Sequence, residues 1–200
     1  MRALILTNEF PPDIYGGAGV HVDELTRHLR ELIELDVRTF GAQADDDPGW
    51  RVRGYPVAHD LASTDERLRP MLAALSRDIG MVADPVEADV VHVHTWYTHL
   101  AGLLARLAYG IPLVLTVHSL EPLRPWKREQ LGGGYDVSSW IERTAIESAD
   151  AVIAVSEGTR ADVLRLFDVD ESRVHVIYNG IDPDFYRPDP ATDALERHGV

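Results

Sequence analysis

The 200-residue chain has no cysteine, which excludes disulfide bridges and thiolate metal sites and fits a reducing compartment. Basic residues are scarce: 19 stand against 33 acidic ones, the formal net charge is −14, and Lys127 is the only lysine. A field of that sign repels nucleic acid and anionic lipid, so neither is expected as a partner. An anion can still be held, but only by local devices such as a helix N-terminus or a few placed cations. No apolar run approaches the roughly 18 residues that a membrane span needs. The apolar start Ala3–Leu6 runs straight into Glu9, Pro11 and Pro12, unlike a secretory leader, and points to a cytoplasmic protein.

With 45% hydrophobic and 26% charged residues, the composition is that of a soluble globular protein of one well-buried domain. Short apolar runs recur at Ala3–Leu6, Val90–Val93, Leu113–Val117, Ala151–Val155 and Val174–Tyr178, with weaker ones at Asp36–Phe40 and Val52–Val57. Runs that are near-continuous instead of alternating predict strands covered on both faces, as in a parallel sheet. Between them, Val22, Leu25, Leu29, Leu32 and Ile33 keep helical spacing, as do Trp96, Leu100, Leu103, Leu104 and Leu107, with Gly110 and Pro112 as C-cap and stop. Ser139 with Glu142 reads as a capping box for a helix through about Ala149, and Ser156 as the cap of the next helix. The alternation predicts an α/β, doubly wound, Rossmann-like parallel sheet whose ligands sit beyond the C-terminal strand ends. Residues 1–178 form this domain. Residues 179–200, rich in proline with a short helical pattern at Thr192–His198, read as a linker toward a domain that the chain does not contain. The acidic stretch Asp45–Asp47 reads as a loop.

Several residue patterns carry chemistry. The loop from Asn8 to Gly19 ends in Gly16, Gly17 and Gly19 at the start of a helix, where unpartnered backbone N–H groups and the helix dipole favour an anion. The same glycines would also serve close packing of helix on sheet, and the sequence leaves both readings open. The spacing fits neither a dinucleotide fingerprint nor a P-loop. His92, His94 and His118 lie at two strand ends and form a candidate three-imidazole metal site. Grouped instead with Trp96 and Tyr97, they suit a sugar, whose C–H face stacks on aromatic rings while imidazole meets its hydroxyls. Ser156 lacks the nucleophile-elbow context and reads as a helix cap. Arg124, Lys127 and Arg128 place three cations within five residues, just after the strand that ends at His118. A neutral glucan does not require such a cluster, whereas a sugar phosphate does. Pairing of Arg124 with Glu121 and of Arg128 with Glu129 is the alternative.

Taken in order, N-E-F-P-P…Y-G-G-A-G, D-V-V-H-V-H-T-W, V-H-S-L-E-P-L-R-P-W-K, A-D-A-V-I-A-V-S and N-G-I-D resemble the N-terminal lobe of retaining GT-B glycosyltransferases of family 4. The stretch around His118 is most similar to the actinobacterial glycogen synthase and maltose-1-phosphate synthase branch. The resemblance implies a two-lobed enzyme that moves glucose from ADP-glucose, or UDP-glucose, with retention, to an α-glucan or to glucose 1-phosphate, forming an α-1,4 link. It implies neither cofactor nor metal, and a homodimer is left open. Gly16 and Gly17 would meet the donor diphosphate and His118 the 6-hydroxyl of the transferred sugar. Thr95, Trp96 and Tyr97 would line the acceptor site, with Asn179 near acceptor and hinge. Ile14, Thr95 and Ser119 stand where better-known bacterial starch and glycogen synthases have lysine, aspartate and asparagine. The donor-binding groups of the family belong to the absent lobe, so the chain by itself is expected to be inactive. A non-catalytic glucan- or phosphosugar-binding module and a histidine-ligated metal hydrolase are the alternative readings.

Overall fold

The structure, a computed structural model, describes residues 1–58 and 60–188, without the side chains of residues 130 and 131. The helical pattern at Thr192–His198 lies outside the described residues. The strands are β1 (Arg2–Thr7), β2 (Glu34–Phe40), β3 (Ala44–Asp47), β4 (Trp50–Tyr55), β5 (Val90–His94), β6 (Leu113–Val117), β7 (Ala151–Ala154) and β8 (Val174–Val176). They form one eight-stranded sheet in the order β3-β4-β2-β1-β5-β6-β7-β8. All pairings are parallel except that of β3 with β4. The helices are α1 (Gly17–Leu29), α2 (Arg69–Ala83), α3 (His99–Tyr109), α4 (Lys127–Leu131), α5 (Gly134–Ser148) and α6 (Glu157–Leu166). No helix among the described residues is long and apolar enough to cross a membrane.

The expected two-sided burial is visible within β1. Ala3 and Ile5 pack with Val22, Leu35, Val37 and Val52 on the α1 side. Leu4 and Leu6 join Val91, Val93, Leu113, Leu115 and Ile146 on the other. Each side chain points opposite to its neighbours, so a strand buried on both faces must be apolar throughout. β5 departs from this rule in an informative way. Val91 and Val93 are core, whereas the alternate positions His92 and His94 turn to the α1 side, where His94 meets His21 of α1 at 5.6 Å between ring centroids.

Three readings of the sequence are corrected. Asp45–Asp47 is not a loop but most of the edge strand β3, whose exposed side chains and antiparallel pairing let four short residues close the sheet margin. Ser139 and Glu142 form no capping box: α5 begins at Gly134, five residues earlier than Ser139, and Glu142 turns inward to another partner. The helix expected from Trp96 starts with a 3₁₀ turn, Trp96–Thr98, before α3. Helix α2, which the apolar spacing did not disclose, is held by Met71, Ala74 and Met81. The carbonyls just beyond its end at Asp84 and Pro85 accept from the buried Arg38 guanidinium, 3.1 and 2.7 Å away. Two caps stand as expected: Gly110 ends α3 at φ 68°, and the Ser156 hydroxyl accepts the Thr159 N–H at 3.0 Å.

Candidate active site

The strand order reverses direction between β1 and β5, since successive strands run outward to β2 and β4 on one side and to β6, β7 and β8 on the other. The loops leaving β1 and β5 therefore diverge, and the crevice between them is where doubly wound sheets bind ligands. A cleft of about 460 Å³ lies there. Its walls include Gly16, Gly17, Thr95, Trp96, Tyr97, His118, Arg124, Lys127 and Asn179, so residues as distant in sequence as Gly16 and Asn179 are brought together.

Arg128 is the exception. Its guanidinium donates to Asp136 at 2.9 Å and lies over the Tyr135 ring, and it does not line the cleft; nor does it pair with Glu129, the partner expected from sequence. Arg124 remains at the cleft, half-buried, donating to the Ser119 hydroxyl at 3.2 Å and standing 3.8 Å from Glu121. That distance supplies the expected Arg124–Glu121 pair in loose form, without removing the guanidinium from the cleft.

The glycine loop is held by Glu9. This carboxylate is buried and accepts the N–H groups of Tyr15 at 3.1 Å and Gly16 at 2.7 Å. The positive end of α1 thus already faces a negative charge from the protein's own chain, and the Gly16 amide is engaged. Gly17, the first residue of α1, has its amide free of hydrogen bonds among the described residues. The three glycines also separate by role. A Cβ on Gly19 would meet Glu9 at 2.7 and 2.8 Å, whereas one on Gly17 would meet nothing within 4 Å. Gly19 therefore serves close packing, and Gly17 leaves room toward the cleft.

Trp96 is only 4% exposed. It packs with Ala74 and Tyr135 and stacks on Tyr97 with ring centroids 4.2 Å apart, so it forms the buried backing of a half-buried Tyr97. Thr95 lies between them and β5 with φ 65° and ψ 153°, a conformation that side chains rarely adopt. Its hydroxyl donates to Asn8 Oδ1 at 2.7 Å.

The histidines form a closer group than the sequence disclosed. His118 Nε2 lies 3.2 Å from His94 Nδ1, and the ring of His21 meets that of His118 edge-on at 4.9 Å. His92 leaves the expected trio, because its Nε2 bonds the Thr116 hydroxyl at 2.7 Å, and His21 takes its place. One ring nitrogen from each of His21, His94 and His118 falls within 4.8 Å of the others, a set that could hold a metal ion. Burial lowers the pKa of His118 to about 4, with a smaller push from His21, and holds His94 well below the ordinary histidine value. The rings are neutral near pH 7, as ligation would need. However, His94 Nε2 has no hydrogen-bond partner among the described residues, whereas a ligating histidine ordinarily anchors its second nitrogen.

Two acids that the sequence reading did not place in the site complete the wall. Glu142 of α5 and Glu121, both buried and both lining the cleft, are linked by the Glu121 N–H, which donates to Glu142 Oε2 at 2.9 Å. Burial raises the carboxyl of Glu142 to about 8, with the nearby Glu121 charge adding to the effect. Burial raises Glu121 too, opposed by Arg124 and Lys127. No spacing rule could have found this pair, because Glu142 sits at mid-helix and only the tertiary packing of α5 brings it to the Glu121 backbone.

Residues 15–185 match the model of Glycosyltransferase Family 4. The alpha-maltose-1-phosphate synthase of Mycolicibacterium smegmatis is 56% identical over 207 residues, an alignment that covers 100% of this chain and 50% of that protein. The chain thus spans about half the length of that relative. Among solved structures, the sucrose-phosphate synthase of Thermosynechococcus elongatus superposes with a TM-score of 0.71 at 15% identity, over 100% of this chain and 53% of that one. HepE of Anabaena, solved with UDP-glucose, superposes at 0.64 and 16% identity, over 98% and 50%. Both are half-chain matches to this fold.

Proposed function

Because the chain belongs to glycosyltransferase family 4, we propose that it is the acceptor-side half of an enzyme that transfers glucose from ADP-glucose to glucose 1-phosphate with retention of the α-configuration. In this reading residues 1–178 form the acceptor lobe and residues 179–200 lead toward the donor-binding lobe. The observation that carries it is the placement of Arg124 and Lys127 on the same cleft wall as His118. In a chain of net charge −14, two cations at the crevice of the switch point offer an anionic acceptor its local counter-charge. The relative at 56% identity, a maltose-1-phosphate synthase, supports the same class of acceptor. UDP-glucose is the second candidate donor and an α-glucan the second acceptor.

The chemistry in this reading is the one that the family resemblance implies. No nucleophile is required of the protein: the leaving diphosphate takes the proton of the acceptor's 4-hydroxyl on the face from which it departs, so catalysis consists of positioning and charge stabilisation. Gly17, with its free amide and open Cβ side, faces the diphosphate. His118 stands beside the transferred sugar, while Tyr97, backed by Trp96, takes the acceptor's C–H face, with Thr95 and Asn179 at its edges.

The test is made in the full-length enzyme. Arg124→Ala or Lys127→Ala is expected to raise KM for glucose 1-phosphate at least tenfold, about 1.4 kcal/mol, and to change elongation of a neutral maltooligosaccharide much less. Equal losses with both acceptors, or no use of glucose 1-phosphate at all, would return the function to glycogen synthesis. Arg128→Ala, at a residue off the cleft wall, is expected to leave both acceptors nearly unaffected.

A further inference from the structure

We propose that His94 is a positioning residue that fixes the tautomer of His118, so that His118 turns an N–H donor toward the cleft. The inference rests on the reading of His118 as the group beside the transferred sugar, and it adds a second residue to that role. His94 Nδ1 and His118 Nε2 are 3.2 Å apart, and the two rings are inclined by 24°. Both rings are neutral near pH 7, so each carries one ring N–H, and one ring must donate while the other accepts.

The environment of His94 decides which. The residue is fully buried at 0% exposure, hemmed by His92 at 4.3 Å and His21 at 5.6 Å between centroids. Its Nε2 has no partner among the described residues. A proton on Nε2 would be a buried N–H with nothing to receive it. A proton on Nδ1 is spent in the bond to His118 and leaves only a lone pair unmet. Buried orphan N–H groups are the rarer of the two, so His94 donates from Nδ1.

The consequence passes to His118. Its Nε2 accepts and is therefore bare, which places the only N–H of its ring on Nδ1. That nitrogen has no partner among the described residues, and it is not sealed inside the protein. Because the residue lines the cleft, Nδ1–H is the group offered to a ligand oxygen. The opposite tautomer would present a lone pair, which a hydroxyl can meet but an anionic oxygen cannot. The arrangement thus suits His118 to oxygens that carry or gain negative charge. The H-x-H pattern of β5 has a reason in these terms: His92 is turned to Thr116 within β6, and only the second histidine reaches His118, just beyond β6 at the cleft.

Nitrogen-15 NMR of the labelled full-length enzyme tests this directly, since long-range ¹H–¹⁵N correlations distinguish protonated from bare imidazole nitrogens. The His118 signals are assigned by their loss in His118→Gln. In the unaltered enzyme near pH 7 His118 is expected to be protonated on Nδ1 and bare on Nε2. His94→Leu keeps the bulk and removes the donor; His118 should then shift toward the Nε2–H form that free side chains favour, and kcat should fall roughly tenfold or more while KM for the nucleotide sugar changes less. His94→Asn, whose amide N–H falls near the position of Nδ1, should restore both. A bare His118 Nδ1 in the unaltered enzyme, which needs no variant to fold, overturns the proposal, as does a tautomer that ignores His94→Leu. A tautomer that moves while kcat stays constant upholds the role of His94 and removes His118 from the reaction.

Discussion

The Thr95 hydroxyl donates to Asn8 Oδ1 at 2.7 Å, joining the exit of β5 to the exit of β1 across the crevice where the sheet reverses direction. The bond holds Thr95 at φ 65°, among the described residues the only position of positive φ that is not glycine. Such a conformation costs on the order of 1–3 kcal/mol and persists where surrounding contacts impose it. Thr95→Gly and Thr95→Ala both lose the hydroxyl, but only glycine reaches positive φ without strain. Urea unfolding is expected to show the glycine variant more stable than the alanine variant by about 1 kcal/mol, reversing the usual order. Equal stabilities would mean that the backbone there is unstrained.

Gly17 and Gly19 should respond oppositely to the addition of a side chain. Gly19→Ala drives a methyl group into Glu9, whose side chain also holds Tyr15 and Gly16, and should cost about 1–3 kcal/mol of stability. Gly17→Val meets open space and should leave the unfolding midpoint nearly constant, while raising KM for the nucleotide sugar in the full-length enzyme. Loss of stability at Gly17 equal to the loss of donor use would assign that glycine to packing alone.

His118→Ala removes a fixed hydrogen-bond donor from the cleft. In the full-length enzyme kcat should drop by ~10²–10³, about 2.7–4 kcal/mol, with circular dichroism and melting temperature little altered. A kcat that hardly moves would identify His118 as a core residue.

Glu142 makes stability depend on pH. Burial raises its folded-state pKa to about 8, above the usual glutamate value near 4.3. The folded protein therefore keeps a proton that the unfolded chain gives up, and stability must fall as pH rises from about 4.5 to 8. Glu121, raised in the same direction, adds to the slope. Glu142→Gln keeps an acceptor for the Glu121 N–H and removes the ionisation, so it should flatten the slope and be the more stable form, by more than about 1 kcal/mol at pH 9. A wild-type protein whose stability is level across that range would contradict the burial of an ionisable carboxyl here.

Local chemistry made part of the site legible in advance. His118, Gly17 and Arg124 meet at one cleft because each follows a strand end, and the C-terminal ends of parallel strands share one edge of the sheet. Arg128 was misplaced for a local reason: α4 is a single turn, and a step of one residue from Lys127 swings the side chain by about 100°, to Tyr135 and Asp136. His21 could not be assigned, because the helical spacing of α1 gives its face but not the strand it crosses.

By itself the sequence determined the parallel α/β sheet, since near-continuous apolar runs of β1, β6 and β7 are stable only when covered on both sides. It also determined two helix boundaries, at Ser156 and Gly110, where the residue's own chemistry satisfies or ends the backbone ladder. The tertiary structure alone decided which buried polar groups meet: Thr95 with Asn8, His94 with His118, Glu142 with the Glu121 amide. Those pairs depend on sheet order and on how far each helix is turned. A desolvated polar group is costly unless a partner comes to it from another element, and no rule of spacing along one element can show what that partner will be.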